Sequence, residues 1–355
     1  MGKRLLQIDG SFGEGGGQVL RTALSLAAIT GQAIRIFNIR AGRKKPGLAA
    51  QHLTSVRAAA SICSASISGD TLNSTCLEFR PSSTVMPGTY SFNVGDGRAG
   101  GSAGAASLVL QTVLLPLAIV EGSSTVHVIG GTHVPFSPPI SYLEHVYLPV
   151  LRNMGLNVTL DLHTWGWNPK GGGSIEVRIV GNPNLQGLKL LERGELKMVR
   201  VIAATTKLPD EIKTRMGSDA ESSLLGHGFD KSLVDVKGLT CPGLASGRGL
   251  FIFPEYAHST AGFSSLAHGA KVAKEACSDM IAFHESGAPV DEHLGDQIML
   301  PACLAMQESE YVVSNITLHQ TTNAWVIELF GLAEVVVNED SKKVSIIPKG
   351  RIAQR

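Results

Sequence analysis

The sequence predicts an α/β (α+β) fold in which three repeated units of the split βαβ type, each ordered βαβαββ, form one large domain with a smaller inserted α/β domain. Two observations predict this. A glycine loop that follows a strand and leads into an apolar-periodic helix occurs at residues 9–17 and again at 95–101, and the same order of elements follows both loops. A related order closes the chain, so we assign residues 1–184 and 287–355 to the large domain. The pattern breaks between them, which predicts an insertion at residues 185–286.

The individual elements follow from hydrophobic periodicity and from glycine and proline stop signals. In the first unit we predict strands at 4–8, 33–39, 65–68 and 76–79 and helices at 18–29 and 49–63. In the second we predict strands at 90–94, 125–129, 157–162 and 174–179 and helices at 105–118 and 140–154. In the third we predict a helix at 291–305, a strand at 311–318, a turn at 319–322, a helix at 323–330 and strands at 333–337 and 343–347. The insertion is predicted to contain strands at 198–204 and 250–254, helices at 210–225 and 266–284, and a looser stretch at 237–249.

Composition limits the classes of function. The net charge of the 355-residue chain is +1, which excludes a polybasic nucleic-acid binder and leaves only a local patch for such contacts. The five cysteines are widely spaced and form no Cys-x-x-Cys pair, so we expect buried thiols in a reducing compartment and no zinc or disulfide frame. The longest apolar stretch, residues 108–120, is too short to cross a bilayer. We therefore expect a soluble, cytoplasmic protein with no membrane partner.

Three common nucleotide-binding signatures do not fit the chain. No Gly-Lys-Ser/Thr follows a glycine loop, which excludes a Walker A loop. Residues 95–100 match G-x-G-x-x-G after a strand, but a dinucleotide site also needs an acidic residue on a following strand, and none is suitably placed. The absence of Lys-x-Asp-Gly leaves a ligase with a lysine nucleophile unsupported.

The first glycine loop is a candidate ligand site. Glycines allow close backbone approach and a helix N-terminus offers free N–H groups to an anion, so strand, glycine turn and helix can form a phosphate cradle. Glu14, Gln18 and Arg21 lie within two helical turns of each other, and this mixture suits a nucleotide or a phosphorylated substrate. The alternative is a tight turn without a ligand.

A basic cluster after the second strand is another candidate. Arg40 and Arg43 lie among glycine, proline and further basic residues, and Gln51 and His52 follow at the start of the next helix. Arginine forks and a histidine suit a terminal phosphate better than a long duplex, which would need more basic surface. The alternative is a solvated charged face.

His319 is the candidate nucleophile. It is predicted at the end of a strand, at the turn that corresponds to the turn bearing Arg40, and ligands of α/β sheets bind at strand carboxyl ends. The helix start that follows would keep the imidazole neutral and favour a nearby phosphate. The alternative is a structural histidine.

Gln111 and Asp296 are predicted to lie on helices at positions that correspond to Gln18, so we expect the three units to converge on one site. Ordinary polar helix positions are the alternative. A Glu14/Asp296 pair would suit Mg²⁺ or Mn²⁺, because these hard ions prefer oxygen ligands.

The sequence resembles the RNA 3′-terminal phosphate cyclase family over all three units, whereas the insertion matches weakly. The matching stretches are Asp9-Gly10, Gly13-Glu14-Gly15-Gly16-Gly17-Gln18 with Arg21, Arg40-Ala41-Gly42-Arg43, Lys45-Pro46-Gly47-Leu48, Gln51-His52-Leu53, Leu110-Gln111-Thr112, Gly130-Gly131-Thr132, Pro169 with Gly171-Gly172-Gly173, Leu294 with Asp296-Gln297, and His319 with Thr322-Asn323. The family has three such repeats and a smaller inserted α/β domain, which agrees with the fold predicted from periodicity.

The resemblance implies that the chain converts an RNA 3′-terminal phosphate to a 2′,3′-cyclic phosphate at the expense of ATP. His319 would attack the α-phosphate of ATP, AMP would pass to the RNA 3′-phosphate, and the neighbouring 2′-hydroxyl would displace it. The implied nucleotide-binding residues are Glu14, Gln111, Pro138, His293, Asp296 and Gln297, of which Glu14 and Asp296 would also hold Mg²⁺ or Mn²⁺. The residues implied to bind the RNA phosphate are Arg21, Arg40, Arg43, Gln51 and His52.

Two positions depart from the family pattern. His293 stands where members often carry an aromatic residue, and Leu318 stands where they often carry cysteine. Three other interpretations stay open: a non-catalytic relative that processes ribosomal RNA, against which Glu14 and His319 argue; an enolpyruvyl transferase, for which six repeats would be expected; and an RNA-binding module without turnover. The expected partners are ATP and RNA with a 3′-phosphate end, and a homodimer is one assembly that the sequence leaves open.

Overall fold

The computed structural model describes residues 5–96 and 102–350, in which the chain forms four sheets of four strands each. The first sheet and its helices make up the first unit. Its elements are β1 (Leu6–Asp9), α1 (Gln18–Thr30), β2 (Ile34–Phe37), α2 (Ala50–Cys63), β3 (Ser66–Ser68) and β4 (Leu77–Arg80). The strand order is β1-β2-β4-β3. Only the β1–β2 pair is parallel, because α1 crosses over between those two strands, and the remaining pairs are antiparallel.

The second unit repeats this topology. Its elements are β5 (Thr89–Asn93), α3 (Ala106–Ala118), β6 (Ser123–Gly130), α4 (Ile140–Tyr142), a π-helical turn (Leu143–Tyr147), α5 (Leu148–Asn153), β7 (Asn157–Thr164) and β8 (Gly173–Val180). The strand order β5-β6-β8-β7 matches that of the first sheet, again with one parallel pair. The predicted glycine loop at 95–101 lies mostly outside the described residues.

The helix predicted at 140–154 is interrupted by the π-helical turn. Pro149 lies at the start of α5 and has no N–H, so it cannot donate to the carbonyl of His145. That carbonyl instead accepts a hydrogen bond from Thr260 Oγ1 at 3.3 Å. A proline in the second unit thereby creates an acceptor for a residue of the predicted insertion.

A short strand, β9 (Lys189–Leu190), precedes a sheet formed by the predicted insertion. The elements of that sheet are β10 (Leu196–Thr206), α6 (Asp210–Gly226), β11 (Val234–Thr240), β12 (Gly247–Tyr256), β13 (Phe263–Ser265) and α7 (Lys271–Ser286). The helices α6 and α7 pack on it around a separate core that includes Val201, Leu224 and Met280. The predicted looser stretch 237–249 was wrong at both ends, because residues 237–240 belong to β11 and residues 247–249 belong to β12. Glycines within both strands weaken their sequence signal.

The third unit completes the large domain. Its remaining elements are α8 (Glu292–Gln297), α9 (Met299–Cys303), β14 (Ser309–Val312), α10 (Leu318–Leu329), β15 (Ala333–Asn338) and β16 (Lys343–Pro348). The sheet order is β15-β16-β14-β9, and β9–β14 is its parallel pair. The predicted fold class is therefore confirmed. The limits 185–286 of the inserted domain stay a prediction, within which Lys189–Leu190 pairs with the third sheet.

Two predictions in the third unit were wrong. The single helix predicted at 291–305 is divided into α8 and α9, since Pro301 cannot donate to the carbonyl of Gln297. The strand predicted at 311–318 ends at Val312, and the predicted turn at 319–322 belongs to α10. Thr317 and Gln320 form a capping box, with Thr317 as N-cap, and start that helix earlier than predicted.

The core lies where the helices of the three units meet beneath their sheets. In α3 every residue except Gln111 is buried, as expected for a helix that is apolar on all sides. Pro116 lies inside α3 and leaves the carbonyl of Thr112 without a helical donor, and the hydroxyl of Ser25 on α1 donates to that carbonyl at 2.8 Å. The same helix α1 also packs against α2 and α10. Within residues 5–96 and 102–350, no helix is long and apolar enough to span a membrane.

Candidate active site

A cavity of about 700 Å³ lies between the large domain and the inserted sheet. All thirteen residues that the sequence placed at the site line it. They are Glu14, Gln18, Arg21, Arg40, Arg43, Gln51, His52, Gln111, Pro138, His293, Asp296, Gln297 and His319. Residues from all three units therefore contribute to one cavity, as the repeat positions predict.

The first glycine loop is fixed against the third unit. Gly13 adopts φ +60°, and a β-carbon there would lie 2.1 Å from Thr322 Oγ1, so only glycine fits this approach. Thr322 Oγ1 accepts a hydrogen bond from the backbone N–H of Glu14 at 3.1 Å. Phe12 stacks on Trp325 with ring centroids 4.1 Å apart. These contacts with α10 hold the loop beside the helix that carries His319.

A polar network joins α1 to α10 below the loop. Gln18 Nε2 donates to Asn323 Oδ1 at 3.0 Å, and the hydroxyl of Thr22 donates to the same oxygen at 2.7 Å. Asn323 Nδ2 in turn donates to the carbonyl of Asp296 at 2.9 Å. Arg21 Nη2 donates to Gln18 Oε1 at 2.5 Å, so the guanidinium is oriented by a chain of bonds that ends on α8.

His52 is held as a neutral imidazole. Its ring is buried, and Nδ1 accepts a hydrogen bond from the N–H of Ala49 at 3.3 Å, which leaves the proton on Nε2. Burial, and then the charge of Arg21, lower the pKa of His52 to about 3. A β-carbon at Gly17 would lie 2.5 Å from His52 Nε2 and 2.8 Å from Arg21 Nη1, so both donors lie in close contact with the glycine loop.

The remaining polar side chains of the predicted phosphate site are Arg40, Arg43 and Gln51, which also line the cavity. Arg43 forms an ion pair with Glu14, whose second carboxylate oxygen, Oε2, is buried and has no hydrogen-bond partner. Arg40 adopts φ +56° and donates from Nη1 to the carbonyl of Gly47 at 2.7 Å. Gln51 Oε1 accepts from the N–H of Ala105, at the start of α3, at 2.9 Å.

His319 lies in the first turn of α10, and its buried Nδ1 has no hydrogen-bond partner. Burial lowers the pKa of His319, and the charges of Arg21 and Arg43 lower it further. The imidazole is therefore neutral at neutral pH and has a free lone pair. The sequence analysis attributed this to a helix start after the histidine, whereas His319 itself belongs to the first helical turn.

The opposite wall of the cavity is formed by α8 and α3. Gln111 Nε2 donates to Gln297 Oε1 at 2.6 Å, and Gln297 Nε2 donates to the carbonyl of His293 at 2.8 Å. Burial raises the pKa of Asp296 to about 7, although the charges of His293 and Arg21 oppose the shift. Asp296 thus lies where a bound cation would stabilise its charged form.

Sequence reasoning missed Asp291, which contacts the cavity residue Tyr142, and several residues of the cavity lining itself. Asp291 caps α8, accepting from the N–H of Leu294 at 2.9 Å, and it also accepts from the hydroxyl of Tyr142 at 2.9 Å. An aspartate just before an apolar-periodic segment is a recognisable N-cap signal. Phe136 and the insertion residues Phe263 and Asp279 also line the cavity. No sequence pattern connected them with residues more than a hundred positions away.

The predicted divalent metal fits two of these residues. Within the described chain, no group of three or more His, Cys, Asp or Glu side chains is arranged as a metal site. Mg²⁺ is commonly bound through one or two carboxylates together with substrate phosphates, so a full set of protein ligands is unnecessary. The orphaned Oε2 of Glu14 and the buried carboxyl of Asp296 are suitable donors for such a shared site.

These features define an enzyme site for phosphorylated substrates, in which a neutral imidazole shares a cavity with three arginines and three carboxylates. The model of the family RNA 3′-terminal phosphate cyclase matches residues 12–337. A protein of Nostoc punctiforme called RNA 3′-terminal phosphate cyclase is 55% identical over 346 residues, covering 96% of this chain and 99% of its own length. Proteins of the same name from Methylococcus capsulatus and Archaeoglobus fulgidus are 51% and 38% identical, covering 94% and 95% of this chain and 93% and 99% of their own lengths. The chain therefore belongs to the RNA 3′-terminal phosphate cyclase family and is an enzyme.

Among solved structures, the enolpyruvyl transferase NikO from Streptomyces tendae matches with 13% identity and a TM-score of 0.27, over 98% of this chain and 66% of its own. That similarity is too low to support an argument about fold or function.

Proposed function

We propose that the protein converts an RNA 3′-terminal phosphate to a 2′,3′-cyclic phosphate at the expense of ATP, through AMP carried covalently on His319. The main supporting observation is the position of His319, whose unpartnered, neutral imidazole lines the same cavity as Arg21, Arg40 and Arg43. A nucleophile needs a free lone pair, and its phosphorylated partner needs positive charge nearby. Both are available here.

The reaction divides into three displacements at phosphorus. First, the imidazole of His319 attacks the α-phosphorus of ATP, forming an N–P bond while the bond to pyrophosphate breaks. Next, an oxygen of the RNA 3′-phosphate attacks the same phosphorus, breaking the N–P bond and forming an RNA–AMP anhydride. Finally, the 2′-hydroxyl attacks the 3′-phosphorus, closing the ring as AMP leaves with the electron pair of the broken P–O bond. Activation is required because a phosphate monoester is a poor electrophile.

The cationic residues suit the RNA end. Arg21, Arg40 and Arg43 offer guanidinium forks, His52 directs its Nε2–H toward the loop, and Gln51 lies at the start of α2. Forks of this kind bind phosphate oxygens with two parallel hydrogen bonds. We assign these five residues to the RNA 3′-phosphate.

The nucleotide is assigned to six other residues of the same cavity. They are Glu14, Gln111, Pro138, His293, Asp296 and Gln297. Glu14 and Asp296 would hold Mg²⁺ or Mn²⁺, which supplies positive charge to phosphate oxygens when bound. Independently of any ion, Asn323 fixes the backbone of Asp296 relative to Gln18, so α8 and α1 keep a defined separation.

The proposed cell compartment is the cytoplasm. All five cysteines are free thiols, and four of them are buried, which supports a reducing environment. RNA with a 3′-phosphate end and ATP are the proposed partners, and a homodimer stays a prediction from sequence.

Incubation with α-labelled ATP and Mg²⁺ or Mn²⁺ tests the proposal. We expect the wild type to become labelled through an acid-labile, alkali-stable phosphoramidate, and His319→Ala to remain unlabelled. His163→Ala, which changes an exposed histidine on β7, serves as the matched control and should label normally. Labelling of His319→Ala at the wild-type level would refute the covalent mechanism. An unlabelled wild type that still binds RNA would support an RNA-binding module instead.

A further inference from the structure

Phe136 is the most exposed large apolar side chain among the described residues, with a relative accessibility of 102%. It lies on the loop between β6 and α4 and lines the cavity. Its backbone adopts φ +63°, a left-handed conformation that is a genuine outlier for a bulky residue. Both the exposed ring and the strained backbone cost free energy, and such strain persists mainly at functional positions.

The loop that carries Phe136 is rigid. It contains Pro135, Pro138 and Pro139, whose rings fix φ at three positions. The loop is closed at its base by a hydrogen bond from the N–H of Ile140 to the carbonyl of Thr132 at 2.9 Å. Because these restraints hold the loop, the ring of Phe136 is presented to the cavity in a fixed position and little freedom is lost when a ligand binds.

The cavity combines charged and apolar lining. Arg21, Arg40 and Arg43 contribute positive charge. On the loop of Phe136, Pro138 and Pro139 contribute apolar lining, and Pro138 is one of the residues assigned above to the nucleotide. A ligand with a charged phosphate part and a flat aromatic part matches this lining, since an aromatic ring stacks on any nucleobase.

We propose that Phe136 is the stacking platform for the base of the nucleotide co-substrate. This rests on the proposed use of ATP but adds a residue that determines affinity for the base. Stacking is tolerant of base identity, so Phe136 contributes similarly to ATP and GTP binding, and selectivity for adenine comes from other groups. The terminal base of the RNA and a second copy of the chain are the competing occupants of the ring.

The test measures equilibrium binding of ATP and of tripolyphosphate to variants made in a His319→Ala parent, which distinguishes contacts with the base from contacts with the phosphates. This parent cannot be adenylylated under the proposed mechanism. We expect Phe136→Ala and Phe136→Gly to weaken ATP binding roughly 5- to 150-fold, the range for loss of one stacked base, and Phe136→Tyr to retain it. Tripolyphosphate, which has no base, should bind all four proteins equally. Phe136→Gly relieves the positive φ, so any loss seen with it is due to the ring and not to backbone strain. Leu244→Ala, an exposed leucine outside the cavity lining, is the surface control.

Unchanged ATP binding by both Phe136→Ala and Phe136→Gly would overturn the inference, and a parallel loss of tripolyphosphate binding would overturn it by indicating loop collapse. Weakened RNA binding with unchanged ATP binding would assign the ring to the terminal base of the RNA. A changed oligomeric state alone would assign the ring to a contact between subunits. Both outcomes contradict the proposal. Labelling of the wild type by ATP is measured in parallel, so that the proposed function and the role of Phe136 are tested separately. If the wild type is labelled but the Phe136 variants bind ATP normally, only the role of Phe136 is refuted.

Discussion

Replacement of Gly17 by alanine should disable the RNA-phosphate side of the site while leaving the fold intact. Gly17 has φ −84° and ψ −9° at the N-cap of α1, a conformation that alanine adopts without strain. The effect is therefore purely steric. The new β-carbon would lie 2.5 Å from His52 Nε2 and 2.8 Å from Arg21 Nη1, so both donors must move.

The size of the movement sets the expected loss. Ordinary contact of a β-carbon begins near 3.4 Å, so the His52 nitrogen must retreat by about 0.9 Å. The ring has little room, because it is buried and its Nδ1 is bound to the N–H of Ala49. A misplacement of about 1 Å can cost on the order of 100-fold in rate. We expect kcat/KM for a 3′-phosphorylated RNA to fall about 10- to 100-fold and labelling by ATP to change no more than about 3-fold.

The assay compares cyclisation of a 3′-phosphate oligonucleotide with single-turnover labelling by ATP, and thermal unfolding checks the fold. Gly42→Ala is the matched control, because a β-carbon at Gly42 meets nothing closer than 3.5 Å and the position has no positive φ. It should behave as wild type. Full RNA activity in Gly17→Ala, or equal damage in Gly42→Ala, would refute the steric argument.

Two further variants test the electrostatics of the site. Arg21→Ala should raise the pKa of His319, since the charge of Arg21 is one cause of its depression. In a pH profile of the rate of labelling by ATP, the acid limb should therefore move to higher pH while the rate at neutral pH is retained. An acid limb at the wild-type position would contradict this. His52→Gln should make stability less dependent on pH. His52 has a pKa of about 3 when folded, against an ordinary value of 6.5, so below pH 6.5 the unfolded chain binds the extra proton and the native state loses about 1.4 kcal/mol per pH unit. Urea unfolding at pH 7 and pH 5 should therefore show a loss about 2 kcal/mol smaller in the variant, and an equal loss would count against a neutral, buried His52.

Most of the cavity lining could be predicted because the three units repeat one topology, and residues from each unit therefore come together in space. Gln18, Gln111 and Asp296 come from the three units and each lines the cavity, although Gln18 starts α1, Gln111 lies in the middle of α3 and Asp296 lies near the end of α8. The glycine loop could also be read locally, since its glycines and the helix start after it lie within a few residues. Composition and periodicity were sufficient for the fold class for the same reason.

What escaped prediction depended on weak or distant signals. Strand β9 has only two residues and is separated by the insertion from β14, with which it pairs. The start of α10 was placed too late, although Thr317 and Gln320 carried a capping-box signal. The exposure of Phe136 depends on the absence of any neighbouring side chain from elsewhere in the fold, and no local pattern contains that information.

Equivalent positions in the repeats have acquired different chemistry. Gln51 and His319 each occupy the second position of a helix, in α2 and α10, and both line the cavity. In the first unit the position carries an amide that binds the backbone of Ala105, whereas in the third it carries an unpartnered imidazole. Equivalent positions of the repeats therefore bring different chemical groups into the same cavity.

The place of the insertion follows the same logic. The insertion predicted at residues 185–286 ends shortly before α8, the helix that carries Asp296. The N–H of Gly262 approaches Asp291 Oδ2 at 3.4 Å, and Asp291 caps that helix. A β-carbon at Gly262 would lie 2.5 Å from the ring of Tyr142, which donates to the same carboxylate. The inserted sheet therefore reaches the cap of α8 only because residue 262 is glycine, and a shift of that sheet would act on Asp296 through the helix start.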